Sequence, residues 1–224
     1  MADPAPTHAP LGARRLMEWM AAHDERLRGL LVIAEPDGAD PAEELDASMR
    51  VHLQFLAEGM RETAHGDLRE ALEGFPEGLQ DWFDLQDDEM AAHLERARGA
   101  IALEQHLQFG VSPGDDPSLD ASLERRTRMG AWGRLFLIGM EDHLGVAADG
   151  MSDEALAWMA ANQARLSRLT VTFDNRVRAA LPPDADAETR DSVTRTAGVR
   201  AYVRHMAEAL EATLAGGPGV ADGA

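Results

Sequence analysis

The chain has 224 residues, a formal net charge of −19, and neither cysteine nor lysine. This charge disfavours nucleic acid and anionic membrane surfaces as partners, because both would repel the protein. The missing residue types exclude disulfides, thiolate metal sites and Schiff-base chemistry. No apolar run in the sequence is long enough for a bilayer, and residues 1–8 lack signal-peptide features, so we expect a cytoplasmic protein.

Helix-favouring residues dominate the sequence, and the spacing of its apolar residues predicts helices throughout. Six long helices are expected at about 11–34, 41–65, 86–109, 118–144, 152–181 and 187–215, with one or two short helices across 67–85. Residues 1–9 and 217–224 offer little to bury and are predicted to be disordered tails. The sequence therefore predicts a single all-α domain at residues 10–216.

A ten-residue sequence motif occurs twice in the chain, and a third, more divergent copy follows. The copies align at Met20, Met90 and Met159. Each copy is followed by an acidic turn and a second helix, and stacked helix hairpins of this kind bury their apolar faces against each other. We therefore predict a bundle of three repeated helix hairpins with a pseudo-threefold internal repeat. The repeat units are expected at about 11–66, 86–145 and 152–215.

Two aspartates are well placed to start the second helices of the first two units. Asp40 and Asp116 each precede a proline, which fits the first helical position because the N–H that it lacks has no partner there. Left-handed C-terminal residues are expected at four glycines, namely Gly66, Gly110, Gly145 and Gly216.

One polar residue per unit is predicted to face inward, at the equivalent position of each repeat. His23 lies in the apolar stripe of the first helix, and His93 and Asn162 lie the same way in the other units. Such a residue either fixes the register of packed helices through a hydrogen bond or lines a site for a metal or small ligand. Duplication copies structure and function alike, so the repeat leaves both interpretations open.

The predicted helix at 118–144 carries many glycines among large apolar side chains. Gly130, Gly133 and Gly139 are unfavourable inside a helix, so they indicate either close packing or room left for a ligand. The side chains that would form the wall of such an apolar pocket are Trp132, Phe136 and Met140.

A second group of residues matches part of a metal centre. Glu58, Glu62 and His65 share one side of a helix, and Glu-x-x-His is an element of carboxylate-bridged di-iron bundles. The sequence holds no second copy of this element in the expected place, and His143 is the further ligand that we consider. The alternative prediction is a His/carboxylate metalloprotein, of ferritin-like or di-iron oxidase type, that binds iron or another divalent metal.

Two tripeptides, Phe83-Asp84-Leu85 and Asp142-His143-Leu144, resemble positions in the acidic all-helical chaperones that mature redox enzymes and bind twin-arginine signal peptides. The chain has Glu141 where that family carries a proline before the Asp-His pair. The resemblance implies a second alternative, a cytoplasmic maturation chaperone that binds a basic signal peptide.

No motif in the sequence commits to one reaction, so the residues favour a binding role. We expect a non-enzymatic acidic helical protein that recognises a peptide, a protein or a small apolar ligand without a cofactor. The sequence leaves open whether the chain has an enzymatic activity and how many copies associate. The candidate ligand-binding residues are His23, His93, Asn162, Trp132, Phe136 and Met140.

Overall fold

The structure is a computed structural model, and it describes residues 13–34, 40–64, 66–144 and 157–214. Every regular element in these ranges is helical, so the predicted all-α class is confirmed. None of the described helices combines the length and the apolarity that crossing a membrane requires. The helices are α1 (Ala13–Ala22), α2 (Asp24–Ala34), α3 (Pro41–Thr63), α4 (Asp67–Ala71), α5 (Phe75–Leu85), α6 (Asp87–Phe109), α7 (Pro117–Leu144), α8 (Gln163–Ala180) and α9 (Ala187–Leu214).

The observed helix bounds differ from the predicted ones mainly in two places. The first long helix is interrupted at His23, which divides it into α1 and α2. The helical residues 157–161 are likewise separated from α8 by an interruption at Asn162. The predicted tails and two of the predicted helix-ending glycines lie outside the described residues, namely 1–9, 217–224, Gly145 and Gly216.

Aspartate side chains begin three of the long helices. Asp40 accepts a hydrogen bond from the Ala42 N–H at 2.8 Å, and Asp116 accepts one from the Ser118 N–H at 2.8 Å, as predicted. Asp186 does the same for α9, where the Thr189 N–H donates at 2.7 Å. A carboxylate at this position satisfies a free helical N–H and opposes the positive end of the helix dipole. These caps fix the starts of α3, α7 and α9.

The carboxyl end of α6 is closed by Gly110, which has a φ of +68°. This left-handed conformation favours glycine, and it brings the Gly110 N–H to 2.8 Å from the His106 carbonyl. Gly66 also has a positive φ, of +56°. Both glycines therefore have the left-handed conformation that the sequence predicts.

Apart from α4 and α5, the described helices pack as three pairs. In the first pair α1 and α2 together pack on α3, and in the other two α6 packs on α7 and α8 packs on α9. The second helices of the pairs, α3, α7 and α9, also contact one another and form the centre of the bundle. α5 packs against both α3 and α7, so it covers the space between the first two pairs. α1 packs against α9 and joins the first pair to the third.

The hydrophobic core lies where the three central helices meet. Its buried side chains include Phe55 of α3, Trp132 and Phe136 of α7, and Val203 and Met206 of α9. Full burial of one large apolar side chain contributes about 1.5–3 kcal/mol to stability. The centre of the bundle is therefore where most of the stabilising apolar burial is concentrated.

Candidate functional site

His23 and Asn162 make the same contact at the two helix interruptions. The His23 Nδ1–H donates to the Trp19 carbonyl at 2.8 Å, and the Asn162 Nδ2–H donates to the Trp158 carbonyl at 2.8 Å. In each case the polar side chain bonds to a tryptophan four residues earlier, and the His23 ring stacks on Trp19 with centroids 4.3 Å apart. Both residues thus hold local backbone carbonyls at equivalent places in their units.

His93 behaves differently, although the sequence aligns it with the other two. It lies within the uninterrupted α6 and is only 6% exposed, and burial lowers the pKa of its imidazole. Its Nε2 has no hydrogen-bond partner and lies 3.8 Å from Oε2 of Glu89, the residue that occupies the tryptophan position of this unit. A ligand site shared by His23, His93 and Asn162 stays a prediction, since the contacts described for each are within its own helix.

The predicted pocket wall on α7 is packed against other helices. Trp132, Phe136 and Met140 are all buried, and the Trp132 indole N–H donates to Asp46 of α3 at 2.8 Å. The glycines of α7 face neighbouring side chains, since a Cβ on Gly133 would overlap the ring of Tyr202. Close packing therefore explains this glycine, and a ligand-binding role for the three side chains stays a prediction.

Three of the four predicted metal ligands lie in the described part of the chain. Glu58 forms an ion pair with Arg26 at 2.7 Å, and Glu62 pairs with its neighbour Arg61 at 3.0 Å. The ring of His143 packs edge-on against Phe75, with centroids 5.4 Å apart. His65 lies outside the described residues. Among the described residues, no group of three or more His, Asp or Glu side chains is placed to hold a metal ion; a site with His65 stays a prediction.

The two tripeptides of the chaperone resemblance help to hold α5 in place. Asp142 accepts a hydrogen bond from the Trp82 indole N–H at 3.0 Å, which ties the end of α7 to α5. Asp84 forms an ion pair with Arg50 of α3, whose guanidinium also bridges to Asp87 at the start of α6. Their observed contacts are therefore between helices of the bundle.

Sequence reasoning missed a deeply buried histidine on α3. His52 is 0% exposed, and its Nδ1–H donates to the Ser48 carbonyl at 2.7 Å, whereas its Nε2 has no partner. Burial is the main cause that lowers the pKa of His52 to about 4; the hydrogen bond to Ser48 and the Asp24 charge oppose this shift, and the nearby Arg200 charge adds to it. Arg200 and Asp24 form an ion pair that joins α9 to α2. This imidazole is thus held neutral inside the bundle.

A groove of about 500 Å³, lined by apolar and polar side chains in equal number, lies between α6 and α8. Leu103 and Leu107 of α6 line it and are 59% and 77% exposed. Two further apolar residues are exposed close in sequence to the lining residues, namely Phe109 at the end of α6 and Val171 on α8. The full lining consists of Ala100, Leu103, Glu104, Leu107, Gln108, Gln163, Ala164 and Ser167.

Two leucines of α6 face away from the bundle. The most buried residues of this helix are the polar His93 and Gln105, each 6% exposed, and Ile101 is half-buried, whereas Leu103 and Leu107 are exposed. The sequence already indicates that Leu103 faces outward. It follows Ile101 by two residues, so it is rotated by about 200° around the helix from the stripe that packs on α7. The groove is the main feature that sequence reasoning missed.

A second cleft, of about 390 Å³, lies beside the end of α3 and is charged. Its lining mixes both signs, and Arg69 donates to the Glu62 backbone carbonyl at 2.9 Å. Opposite charges that already face each other leave little net attraction for a charged ligand. The groove between α6 and α8 is therefore the stronger candidate site. Comparison of this chain with protein-family models, with curated proteins and with solved structures finds no match.

Proposed function

We propose that this chain is a non-enzymatic binding protein that recognises a protein or peptide segment through the groove between α6 and α8. The two exposed leucines of α6 carry the proposal. Leu103 and Leu107 are exposed while His93 and Gln105 are buried, although folding alone favours the opposite arrangement. A contiguous apolar surface with a polar rim is typical of interaction sites on proteins.

The shape of the groove favours a chain segment over an enclosed small molecule. Its walls come from two helices, with Leu103 and Leu107 on one side and Ala164 and Ser167 on the other. Pockets for small ligands bury most of the ligand surface within a concave site. A groove between two helices instead suits an elongated occupant that adds a layer to the bundle.

The charge of the protein narrows the class of partner. A formal charge of −19 attracts basic surfaces at long range and repels acidic ones. At the groove itself, Glu104 lines the α6 wall and pairs with Arg126 of α7 at 2.7 Å. A partner that combines apolar side chains with Lys or Arg is therefore favoured.

We further propose that the bundle consists of three copies of one helix hairpin about a pseudo-threefold axis. Three aspartate caps, on Asp40, Asp116 and Asp186, begin the second helix of each pair and support this view. The matching contacts of His23 and Asn162 with their tryptophan carbonyls support it for the first and third pairs. In this scheme the groove separates the second hairpin from the third.

Selection from a library of displayed random peptides tests the proposed binding role. The library is selected on the wild-type protein and then tested on the variants Leu103→Glu and Leu107→Glu, which place a charge in the groove. Ile33→Glu is the matched control, because Ile33 is an 84% exposed apolar residue on α2, outside the groove lining. We expect apolar, basic peptides that bind the wild type and Ile33→Glu but lose binding to the groove variants. Peptides that bind all four proteins equally would contradict the proposal.

A further inference from the structure

The helix α5 shows how this bundle covers an apolar space between two helix pairs. Phe75, Leu79 and Phe83 of α5 are buried at a spacing of four residues, so they form one face of the helix. This face packs on α3 and α7, whereas Glu77 and Asp81 point to solvent. A short amphipathic helix therefore fills the space between the first and second pairs.

Among the described helices, none covers the space between the second and third pairs as α5 covers the space between the first two. Both walls of the groove include small residues, with Ala100 on α6 and Ala164 and Ser167 on α8. Small residues leave room for the side chains of an inserted element, and Leu103 and Leu107 offer it an apolar surface. The groove thus presents the kind of surface that α5 covers elsewhere.

The α6 wall of the groove and the buried face of α5 have similar lengths. From Ala100 to Leu107 the wall of the groove runs about 10 Å at the helical rise of about 1.5 Å per residue. The buried face of α5, from Phe75 to Phe83, runs about 12 Å by the same measure. Two turns of helix with apolar side chains four residues apart therefore match the length of the α6 wall.

We infer that the groove binds a short amphipathic helix of a partner protein, with large apolar residues at every fourth position and Lys or Arg on the outward face. This inference rests on the proposed function and names its partner class. The apolar residues are assigned from the match with α5, and the basic residues from the formal charge of −19. A helix laid into a groove through such anchors is a common mode of peptide recognition.

A synthetic peptide built from α5 provides the probe. It has the sequence of residues 74–86 with the changes Glu77→Arg, Asp81→Arg and Asp84→Arg, which keep the apolar face and make the outer face basic. A fluorescein label allows its binding to be measured by fluorescence anisotropy. The control peptide also carries Gln80→Pro, which leaves the three anchors in place but opposes helix formation.

We expect the probe to bind the wild-type protein saturably. The Gln80→Pro peptide should bind the wild type at least tenfold more weakly, and the probe should bind Leu103→Glu and Leu107→Glu at least tenfold more weakly. The Ile33→Glu protein should bind within twofold of the wild type. Circular dichroism of each variant checks that the loss reflects the groove and not the fold.

Two results would overturn the inference in different ways. Equal binding of the helical and Gln80→Pro peptides, with groove-dependent binders still selected from the library, would reject a helical occupant and leave the proposed function standing. Binding of the probe that is unchanged by Leu103→Glu and Leu107→Glu, together with no groove-dependent binder from the library, would reject both.

Discussion

The centre of the bundle and the groove between α6 and α8 use apolar side chains in opposite ways. At the centre, α7 has a glycine, Gly133, where the ring of Tyr202 from α9 enters, and the tyrosine is buried. At the groove, Leu103 and Leu107 stay exposed beside small residues that leave space unfilled. Burial at the centre stabilises the fold, whereas the apolar surface of the groove remains available for binding. Under the proposed function, recognition thus uses a surface outside the apolar centre that stabilises the fold.

The largest effect is expected at the contact between Gly133 and Tyr202. Gly133→Leu should destabilise the protein by about 3 kcal/mol, because overpacking a filled core forces side chains and backbone to move. Adding Tyr202→Ala should recover part of this loss, since it empties the space that the leucine needs. Chemical denaturation of both variants measures the free energies of unfolding.

Gly99→Ala is the matched control for this substitution. A Cβ on Gly99 meets nothing within 4 Å, so alanine should stabilise α6 by about 0.8 kcal/mol through its higher helix propensity. If Gly133→Leu proved as stable as the wild type, the centre would be less tightly packed than the contact with Tyr202 implies.

The second largest effect concerns pH, and it also arises at the centre. The imidazole of His52 has an ordinary pKa of 6.5 in the unfolded chain and a pKa lowered to about 4 by burial in the fold. The unfolded state therefore takes up the proton first as the pH falls, and stability is lost between these two values. From pH 7 to pH 5 this histidine should cost about 2 kcal/mol of unfolding free energy.

Denaturation curves at pH 7 and pH 5 check this prediction. His52→Leu should lose less stability over that range than the wild type, by about the same 2 kcal/mol. His106→Leu, at an exposed position of α6, controls for the removal of a histidine. The same dependence on pH in His52→Leu and in the wild type would assign the acid sensitivity to other groups.

The outer helices provide a finer test, because His23 and His93 occupy aligned positions in different surroundings. His23→Leu removes the hydrogen bond to the Trp19 carbonyl and should cost about 1 kcal/mol. His23→Asn should keep stability within about 0.5 kcal/mol of the wild type, because Asn162 makes the same bond at its own site.

At the second copy, His93→Leu should leave stability unchanged or raise it by about 1 kcal/mol, since the buried Nε2 has no hydrogen bond to lose. Thermal unfolding of the three variants in parallel measures the difference. An equal loss in His23→Leu and His93→Leu would mean that the helix interruption has no energetic role.

The smallest effect on stability is expected in the groove. Leu103→Glu and Leu107→Glu should each change the free energy of unfolding by less than about 0.5 kcal/mol, because both side chains are already exposed. Chemical denaturation of these two variants and of Gly133→Leu compares the free energies of unfolding at the groove and at the centre. A loss as large as that of a core substitution would show that these leucines support the fold.

The sequence was sufficient to predict the helices because local signals determine them. Apolar spacing located the long helices, and Asp40 and Asp116 marked two of the starts through a side-chain bond to a nearby N–H. The interruptions at His23 and Asn162 were not predicted. Good helix formers flank both residues in the sequence. The side-chain hydrogen bond to a carbonyl competes with the backbone hydrogen bonds of the helix, and the apolar spacing does not reveal it.

The candidate site could be predicted only in part, because burial depends on which helices become neighbours. Trp132 and Phe136 are predicted to line a ligand pocket; the structure places them in the core beside α3 and α9, and their ligand role stays a prediction. Leucine is usually a core residue, yet Leu103 and Leu107 line the groove between α6 and α8 and stay exposed. Neighbours distant in the sequence decide both outcomes, and apolar spacing alone does not report them.

The aspartate caps also bear on the order in which the chain folds. Asp40, Asp116 and Asp186 each start a helix from within its own turn, so each helix pair can close on contacts that are near in the sequence. Chains rich in such local contacts fold quickly, and units that form during synthesis expose less apolar surface to aggregation. Each pair can therefore form part of its helical structure on the ribosome, before the three central helices meet and complete the shared core.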